Sequence, residues 1–577
     1  MKASERSLLS MAKKPTNLIY GVDEKPPVWL TIFMGFQHIC IYAVTFSFPV
    51  LIVREMGGTT EQASFMISMS MIAGGIGAIV MAHPKIGSGY LCPPVCSPTN
   101  FAAAMVASKI GGIPLIYGMT FISGVAEAFF SKIIQRLRVI FPPEVTGLIV
   151  AMVGITVIRV ASLNFLGLDR FDKVIEPSAL IVSISTLFLM IALNIWSKGK
   201  LKLFCVLIGM VIGYTLSYAL GLLSNADLSK VSHASFFWFP FTNHPGWSFN
   251  ISLVIPYIIV MICSALKTMG DVTTCQKIND SEWKRPDMKN VSKGVFADAI
   301  SDIASGLLGG AGQSSSSSNV GLSIATGTTS RVVGYAAGGF LICLAFIPKI
   351  SSLFAILPKP VIGATLIFLI SFMIIAGFQI IMSRMIDARK TFIIGVSLIF
   401  GLTIDILPDV FAESHPWLKP VFTSSLATAT VLAIFLNLIF RIGIAKKVRL
   451  ELVPGTDSPQ KIYSFMEENG RAWGARAEVI YKAIAVMNEF FEAATENKLT
   501  KEPIDVGVSF DEFHLDVDIH YKGNLIELPS VRPDPNLILT EEGAPLRLSG
   551  FLIRSYADKV TTEKKEGDSY IRIHFIH

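Results

Sequence analysis

The chain has 577 residues, of which 52% are hydrophobic and 16% charged, and its mean hydropathy is +0.57. Soluble domains carry about 25% charged residues, and a chain this apolar cannot cover its own surface in water, which excludes an ordinary soluble enzyme. The net charge of +6 does not call for nucleic acid, because basic loops on a membrane protein give the same balance.

Residues 1–27 are polar and basic, with no short apolar run and cleavage site behind them, so a cytoplasmic N-terminal segment without a cleavable signal peptide is expected. A bilayer-spanning helix needs about 20 apolar residues. Such stretches lie at 28–53, 61–82, 112–131, 142–162, 176–196, 203–223, 251–266, 332–348, 361–383, 391–407 and 420–440. Three weaker stretches, 90–108, 291–309 and 313–328, are rich in Gly, Ser and Pro. Counting them predicts an all-α polytopic membrane protein of fourteen transmembrane segments, embedded in lipid, with both termini in the cytoplasm of a cell membrane. Basic residues support that count: Lys132, Arg136 and Arg138, then Lys198, Lys200 and Lys202, then Lys277, Lys284, Arg285 and Lys289, then Arg331, then Arg384, Arg389 and Lys390 fall in alternate loops. Arg54, Arg159, Arg170, Lys173 and Lys230 fall outside, so the bias is a majority.

The stretch Phe141-Pro142-Pro143-Glu144-Val145-Thr146-Gly147 opens one span, and Leu357-Pro358-Lys359-Pro360-Val361-Ile362-Gly363 opens another. Seven spans thus repeat as seven. An odd number per repeat forces the halves into opposite membrane orientation, the plan of an inverted-repeat transporter. The third segment of each half is defective: Gly89 to Asn100 carries three prolines, and Gly312 to Gly321 carries five consecutive serines, Ser314 to Ser318. Non-helical backbone at membrane depth is tolerated where it lines a cavity or is buried in protein. The two defects are therefore expected to meet at midplane, each an extended piece followed by a half-helix whose first N–H groups face a polar ligand. The competing reading makes those serines helix-packing residues.

The seven cysteines read as small buried hydrophobes, with no spacing for zinc or a disulfide framework. No nucleophile triad, metal cluster or phosphate loop is recognisable, so neither an enzyme nor a cofactor is expected.

The motif Asn319-Val-Gly321-Leu-Ser-Ile-Ala-Thr326-Gly327, the first-span pair Gln37-His38, the Phe-Pro-Pro-x-Val-x-Gly stretch and the ninth-span acid Asp298 stand together over residues 20–445. In these the chain resembles the nucleobase–ascorbate transporters, the nucleobase:cation symporters type 2 that include uracil and xanthine permeases. The resemblance implies a core domain of spans 1–4 and 8–11 and a gate domain of spans 5–7 and 12–14, with elevator-like movement, ion coupling to H+ or Na+, and a homodimer. It implies substrate contacts from Asn319 and Ser318 before it, with Thr99 and Asn100 of the matching defect. It makes Asp298, with Asp302 one turn on, the intramembrane acid of coupling, and Gln37, His38, Gly321 and Thr326 support for the site.

The family usually has Glu in a Glu-x-x-Gly-Asp pattern of the eighth span, where this chain has Lys267-Thr268-Met269-Gly270-Asp271. An ammonium donates hydrogen bonds and cannot accept them. Lys267 either pairs with Asp298, or faces the substrate and selects an anion such as urate, or snorkels to the cytoplasmic surface. His38 also reads as a packing histidine, and Asp298 as a permanently paired acid. Two further functions stay open: an organic or inorganic anion carrier of the related seven-plus-seven fold, and a membrane ligand sensor.

Residues 450–577 turn to mixed charge. An amphipathic helix over 475–497, strands around 506–510 and 515–521, a helix over 548–558 and a strand over 570–575 predict a small cytoplasmic α/β domain. It resembles the ATP-binding fold of histidine kinases and anti-sigma-factor kinases through Asn488-Glu489, Gly523 and Leu548-Ser549-Gly550-Phe551-Leu552-Ile553. Tyr521-Lys522-Gly523 replaces that family's Asp-x-Gly, which implies a degenerate, regulatory domain.

Overall fold

Prolines, glycines and short polar turns set the helix limits along the first 440 residues. The computed structural model describes residues 13–16, 18–137, 142–168, 174–197, 204–239, 244–281, 283, 286–407, 410, 422, 424–442, 446–511, 514–533, 543–565 and 568–577. Arg138, Phe141, Arg170, Lys173, Lys198, Lys200, Lys202, Lys284 and Arg285 lie outside them. Two compact units emerge, one of residues 1–378 with 396–434 and one of 379–395 with 435–577.

Along residues 28–440, α1 (Val28–Val44) and α2 (Ser47–Glu55) are followed by α3 (Thr60–Ala82), which a Thr59/Gln62 capping box opens. Then come the short strand β1 (Pro94–Cys96) and α4 (Pro98–Leu137). Within α4, Gly112 has φ 67° and ψ −159°, a conformation that separates a half-helix from a long helix. Next are α5 (Pro143–Phe165), α6 (Pro177–Trp196), α7 (Cys205–Ala219), α8 (Asn225–His233), α9 (Val254–Asn279) and α10 (Met288–Leu308). Strand β2 (Gln313–Ser315) leads into the half-helix α11 (Ser317–Thr326), followed by α12 (Arg331–Ala345), α13 (Pro348–Ala355), α14 (Lys359–Met382), α15 (Ala388–Ile406) and α16 (Ser425–Phe440).

Among the described residues, seven helices are long and apolar enough to cross a membrane, or eight with α12 and α13 taken as one span bent by 85°. All fourteen predicted stretches contain helix, but the two defective ones are strand plus half-helix, and Cys205–Ala219 and Ser425–Phe440 are short. α12 is short as well, at 15 residues, while α10 and α15 have the length but are too polar or charged, which together leaves fewer than fourteen.

The packing has a two-fold character. α3 packs on α12, and the long part of α4 packs on α10. α5 and α14, the helices opened by the two proline motifs, run antiparallel. An ideal Cβ on Gly363 falls 2.1 Å from Phe165 N, one on Gly154 falls 2.8 Å from Ile374, and one on Gly377 falls 2.5 Å from Ala151 N. Backbones approach closely through small residues, as is usual in membranes. At the α3–α12 crossing, an ideal Cβ on Gly75 lies 2.7 Å from the Gly338 carbonyl oxygen, and one on Gly338 lies 2.6 Å from that of Gly75.

The second unit holds an antiparallel sheet of β3 (Lys447–Leu452), β4 (Ile504–Phe510), β5 (His514–Lys522), β6 (Lys559–Lys565) and β7 (Asp568–Ile576), in the order β3-β4-β5-β7-β6. With it are α17 (Pro459–Trp473), α18 (Ala477–Glu496) and α19 (Ala544–Tyr556). Alternation along β5 and β7 puts Leu515, Val517, Ile519, Ile571, Ile573 and Phe575 inward, where they meet Val479, Ile480, Met487 and Phe490 of α18 in one core.

Candidate functional site

The two interrupted segments pair. β1 and β2 are antiparallel, with Pro94 opposite Ser315, Val95 opposite Ser314 and Cys96 opposite Gln313. Neither segment can continue as helix: β1 starts on the second proline of the Pro93-Pro94 pair, and the run of serines in β2 prefers hydrogen bonds outside a helix. The pair is fully buried, and side chains take up polar backbone groups of β2. The Gln313 N–H donates to Asp302 Oδ1 (2.5 Å), and Asn100 Nδ2 donates to the Gln313 carbonyl (3.3 Å). Tyr42 of α1 lies 2.8 Å from Gln313 Oε1 and 2.7 Å from the Ser70 carbonyl oxygen.

Each strand runs into a half-helix. Ser316 caps α11, its Oγ accepting from the Asn319 N–H at 3.2 Å. Asn319 is fully buried, with Oδ1 2.8 Å from Nδ1 of His38 and an Nδ2 that has no protein partner. With its Nδ1 protonated, His38 donates to Asn319 and fixes the amide, so that Nδ2 is left as a donor.

Opposite α11 stands α9. The Lys267 ammonium donates to the Ser315 carbonyl and lies 3.9 Å from Asp271 Oδ2, both side chains being about nine-tenths buried. Asp271 accepts from Ser315 Oγ (2.6 Å) and Ser317 Oγ (2.5 Å). Thr268 Oγ1 lies 2.6 Å from Asp298 Oδ2 and 3.0 Å from Ser315 Oγ. Lys267 thus pairs with Asp271, one turn along its own helix, and makes no ion pair with Asp298. It also sits in the middle of a helix that extends to Asn279, and its ammonium is held inside the protein.

The geometry therefore brings Asn100, Lys267, Asp298, Asp302, His38 and Asn319 around the paired strands. Thr99 is buried beside them with an unpartnered Oγ1, and Gln37 is buried next to His38. Ser318 and Gly321 lie on an exposed face of α11. Thr326 returns its hydroxyl to the Leu322 carbonyl at 2.9 Å, at the far end of that helix, and does not join the cluster. The sequence motifs do not single out Tyr42, Thr268, Asp271, Gln313, Ser315 or Ser317 as site residues. The serine run was a signal for two of these. For Tyr42 and Thr268 no local pattern exists, because their partners lie far along the chain.

The arrangement offers a donor amide, half-helix N–H groups, hydroxyls and three carboxyls around the paired strands where two half-helices meet. It holds no group placed for covalent chemistry, and among the described residues no three His, Cys, Asp or Glu side chains converge as a metal site.

Comparison with known proteins agrees. The model of the permease family Xan_ur_permease matches residues 30–410. The xanthine permease XanP of Escherichia coli K12 is 28% identical over 444 residues, covering 74% of this chain and 95% of that protein. The uric acid permease PucJ of Bacillus subtilis 168 is 28% identical over 429 residues, covering 72% and 93%. Among solved structures, the murine Solute Carrier 26 family member A9 anion transporter, inward-facing, superposes with a TM-score of 0.51 at 11% identity, covering 76% of this chain and 72% of that one. The last is a likeness of fold. With a family model covering most of the chain and helices of spanning length, the protein is an integral membrane permease of the Xan_ur_permease family and not an enzyme.

Proposed function

We propose that the protein carries a nucleobase, of the xanthine, uracil or urate type, across the cytoplasmic membrane as an ion-coupled secondary transporter. The observation that carries this reading is the antiparallel β1–β2 pair, which gathers two half-helices, Asn319 and the Lys267–Asp271–Asp298 group around itself. Flat heterocycles that present alternating N–H and C=O groups match such a mixture of donors and acceptors. Relatives named for xanthine and uric acid support the same class.

The antiparallel packing of α5 on α14, and the matched α3–α12 and α4–α10 pairs, support a seven-plus-seven inverted repeat of fourteen spans with core and gate domains and alternating access by movement of the core. A homodimer with cytoplasmic termini fits that plan. Lys267 is committed to the Ser315 carbonyl and Asp271, which weighs against a carrier selected for anions by a free ammonium.

The hydrogen-bond pattern favours H+ as coupling ion. The chain Asp298–Thr268–Ser315–Asp271 has three contacts between two carboxyls and two hydroxyls. Two hydroxyl protons satisfy only two of them, and one proton on Asp298 satisfies all three. We read the second unit, with α18 before β4 and α19 after β5, as a degenerate regulatory domain of the kinase-type ATPase fold.

Uptake of radiolabelled xanthine, uracil and urate into proteoliposomes tests the proposal. Saturable accumulation of at least one base is expected. Binding without accumulation would mark a sensor, and uptake of simple anions alone would mark an anion carrier.

A further inference from the structure

We infer that Glu127 is a proton-binding residue of the transport cycle, forming with Asp298 and Asp302 one buried carboxyl cluster behind the substrate site. The inference rests on the ion-coupled reading above and extends it to a residue that lies in none of the motifs.

Glu127 sits in the long part of α4, packed against α10. The helices touch through glycine: an ideal Cβ on Gly124 falls 2.6 Å from Ile303 N and 3.0 Å from Asp302 Cβ, and one on Gly306 falls 2.4 Å from Phe121 N. Residue 121 is thus level with 306 and residue 124 with 302–303, so the two helices run antiparallel. Glu127, about one turn on, comes level with the turn between Asp298 and Asp302. Glu127 is 0% exposed and neither of its oxygens has a protein hydrogen-bond partner, while Asp298 Oδ1 and Asp302 Oδ2 are unpartnered as well.

Two hydroxyls independently point to a ligand there. Ser123 is one turn before Glu127 on the same face, and Tyr257 stands on α9, which packs against α4. Both are buried, and neither hydroxyl has a protein partner. A buried set of carboxyl and hydroxyl groups without partners has donors and acceptors in hand for an exchangeable proton.

The cations on the elements packed against α4 do not neutralise it: Lys289 and Lys293 of α10 and Lys277 of α9 are exposed. On α9, Lys267 is held by Asp271 and the Ser315 carbonyl, and Cys263 faces Thr430. On α2, Arg54 donates to the carbonyls of Ala355 and Leu357, and Glu55 is exposed. On α5, Arg159 is exposed and Glu144 lies at the helix start. Leaving an ionised carboxylate unpaired in a dry interior costs several kcal/mol, and like charges nearby add to that. A bound proton relieves both. Carboxyls and hydroxyls without partners supply what an exchangeable proton needs, an acceptor and a donor at each site.

The test uses the purified full-length protein in nanodiscs. Infrared spectroscopy at neutral pH is expected to show a protonated-carboxyl C=O stretch that is lost in Glu127→Gln. Xanthine affinity in the wild type is expected to change at least about fivefold between about pH 6 and about pH 8, the range of ordinary coupling energies, and that ratio is expected to fall towards one in Glu127→Gln. Glu55→Gln, at an exposed site, is expected to keep both the band and the pH ratio. If the wild type binds xanthine equally at both pH values, the coupled-transport reading falls and takes this inference with it. If the wild type shows the pH dependence and Glu127→Gln keeps both it and the band, the inference alone is overturned. Should Glu127→Gln fail to fold, Glu127→Asp keeps the carboxyl and must shift the band; an unshifted band overturns the inference.

Discussion

Replacing Lys267 by Met removes the ammonium while keeping most of the side chain's volume. In the structure that ammonium lies 3.9 Å from Asp271 and donates to the Ser315 carbonyl, with both charged side chains about nine-tenths buried. At an effective dielectric of about 20, the attraction at that distance is about 4 kcal/mol before desolvation. Removing one partner of a buried ion pair costs about 3–5 kcal/mol, largely because the other charge is left uncompensated. Asp271 keeps hydroxyl donors from Ser315 and Ser317, so we expect a net loss of about 2–3 kcal/mol. The assay is thermal unfolding of the detergent-solubilised protein followed by size-exclusion chromatography. Lys267→Met should melt well below the wild type. Lys267→Gln, which still donates to the Ser315 carbonyl, should fall between them. Because the cost resides in the stranded carboxylate, the double variant Lys267→Met/Asp271→Asn should recover at least half of the loss. If the two substitutions simply add, or if Lys267→Met is as stable as the wild type, the pairing described here is wrong.

Three further outcomes are expected. Gly338→Val should depress expression of folded protein by overpacking the α3–α12 contact, at a cost of about 1–3 kcal/mol, whereas Gly339→Ala, next to it with open space around an ideal Cβ, should fold normally; equal expression of the two would refute the close crossing. Asn319→Ala strands buried His38 without its partner and removes a donor from the site, so xanthine affinity should drop about 5- to 100-fold, a loss of about 1–3 kcal/mol, and unchanged binding would place the substrate elsewhere. In the second unit, a hydrogen bond from Lys461, with one from the Val453 N–H, holds the Asp457 carboxyl below its usual range. A lowered carboxyl pKa contributes stability above the unfolded value, near about 3.9, and that contribution is lost as pH falls through the lower folded value. Asp457→Asn should therefore speed hydrogen exchange of the 453–461 turn at neutral pH, and lose that effect in strong acid.

Much of the membrane architecture was legible because apolar length and interruption are local properties. The proline triplet and the serine run marked the two broken segments, and the Phe-Pro-Pro and Leu-Pro-Lys-Pro motifs marked α5 and α14. What stayed hidden depends on pairs distant in sequence. The β1–β2 register spans three residues on each side and has no periodicity to read. Tyr42 reaches Gln313, 271 positions away, and nothing near either residue announces it. Glu127 reads as one acid in a 40-residue helix until α10 is packed against it. Lys267 looked free to pair with Asp298, but the i,i+4 spacing to Asp271 on the same helix supplied a nearer partner. In the second unit, the helix 475–497 and the strands around 506–510, 515–521 and 570–575 match α18, β4, β5 and β7 within a few residues. Helix α17 and strand β6 were missed because their exposed faces are strongly charged, and β3 because it follows directly on the last apolar run.

The central claim is that two broken segments from opposite halves meet and grip a nucleobase between α9, α10 and α11. A density map of the purified protein with saturating xanthine tests it most directly. The account predicts planar density beside the β1–β2 pair, within hydrogen-bonding distance of the Asn319 amide and the α9 side chains. Planar density elsewhere, or strands β1 and β2 lying apart, would contradict it.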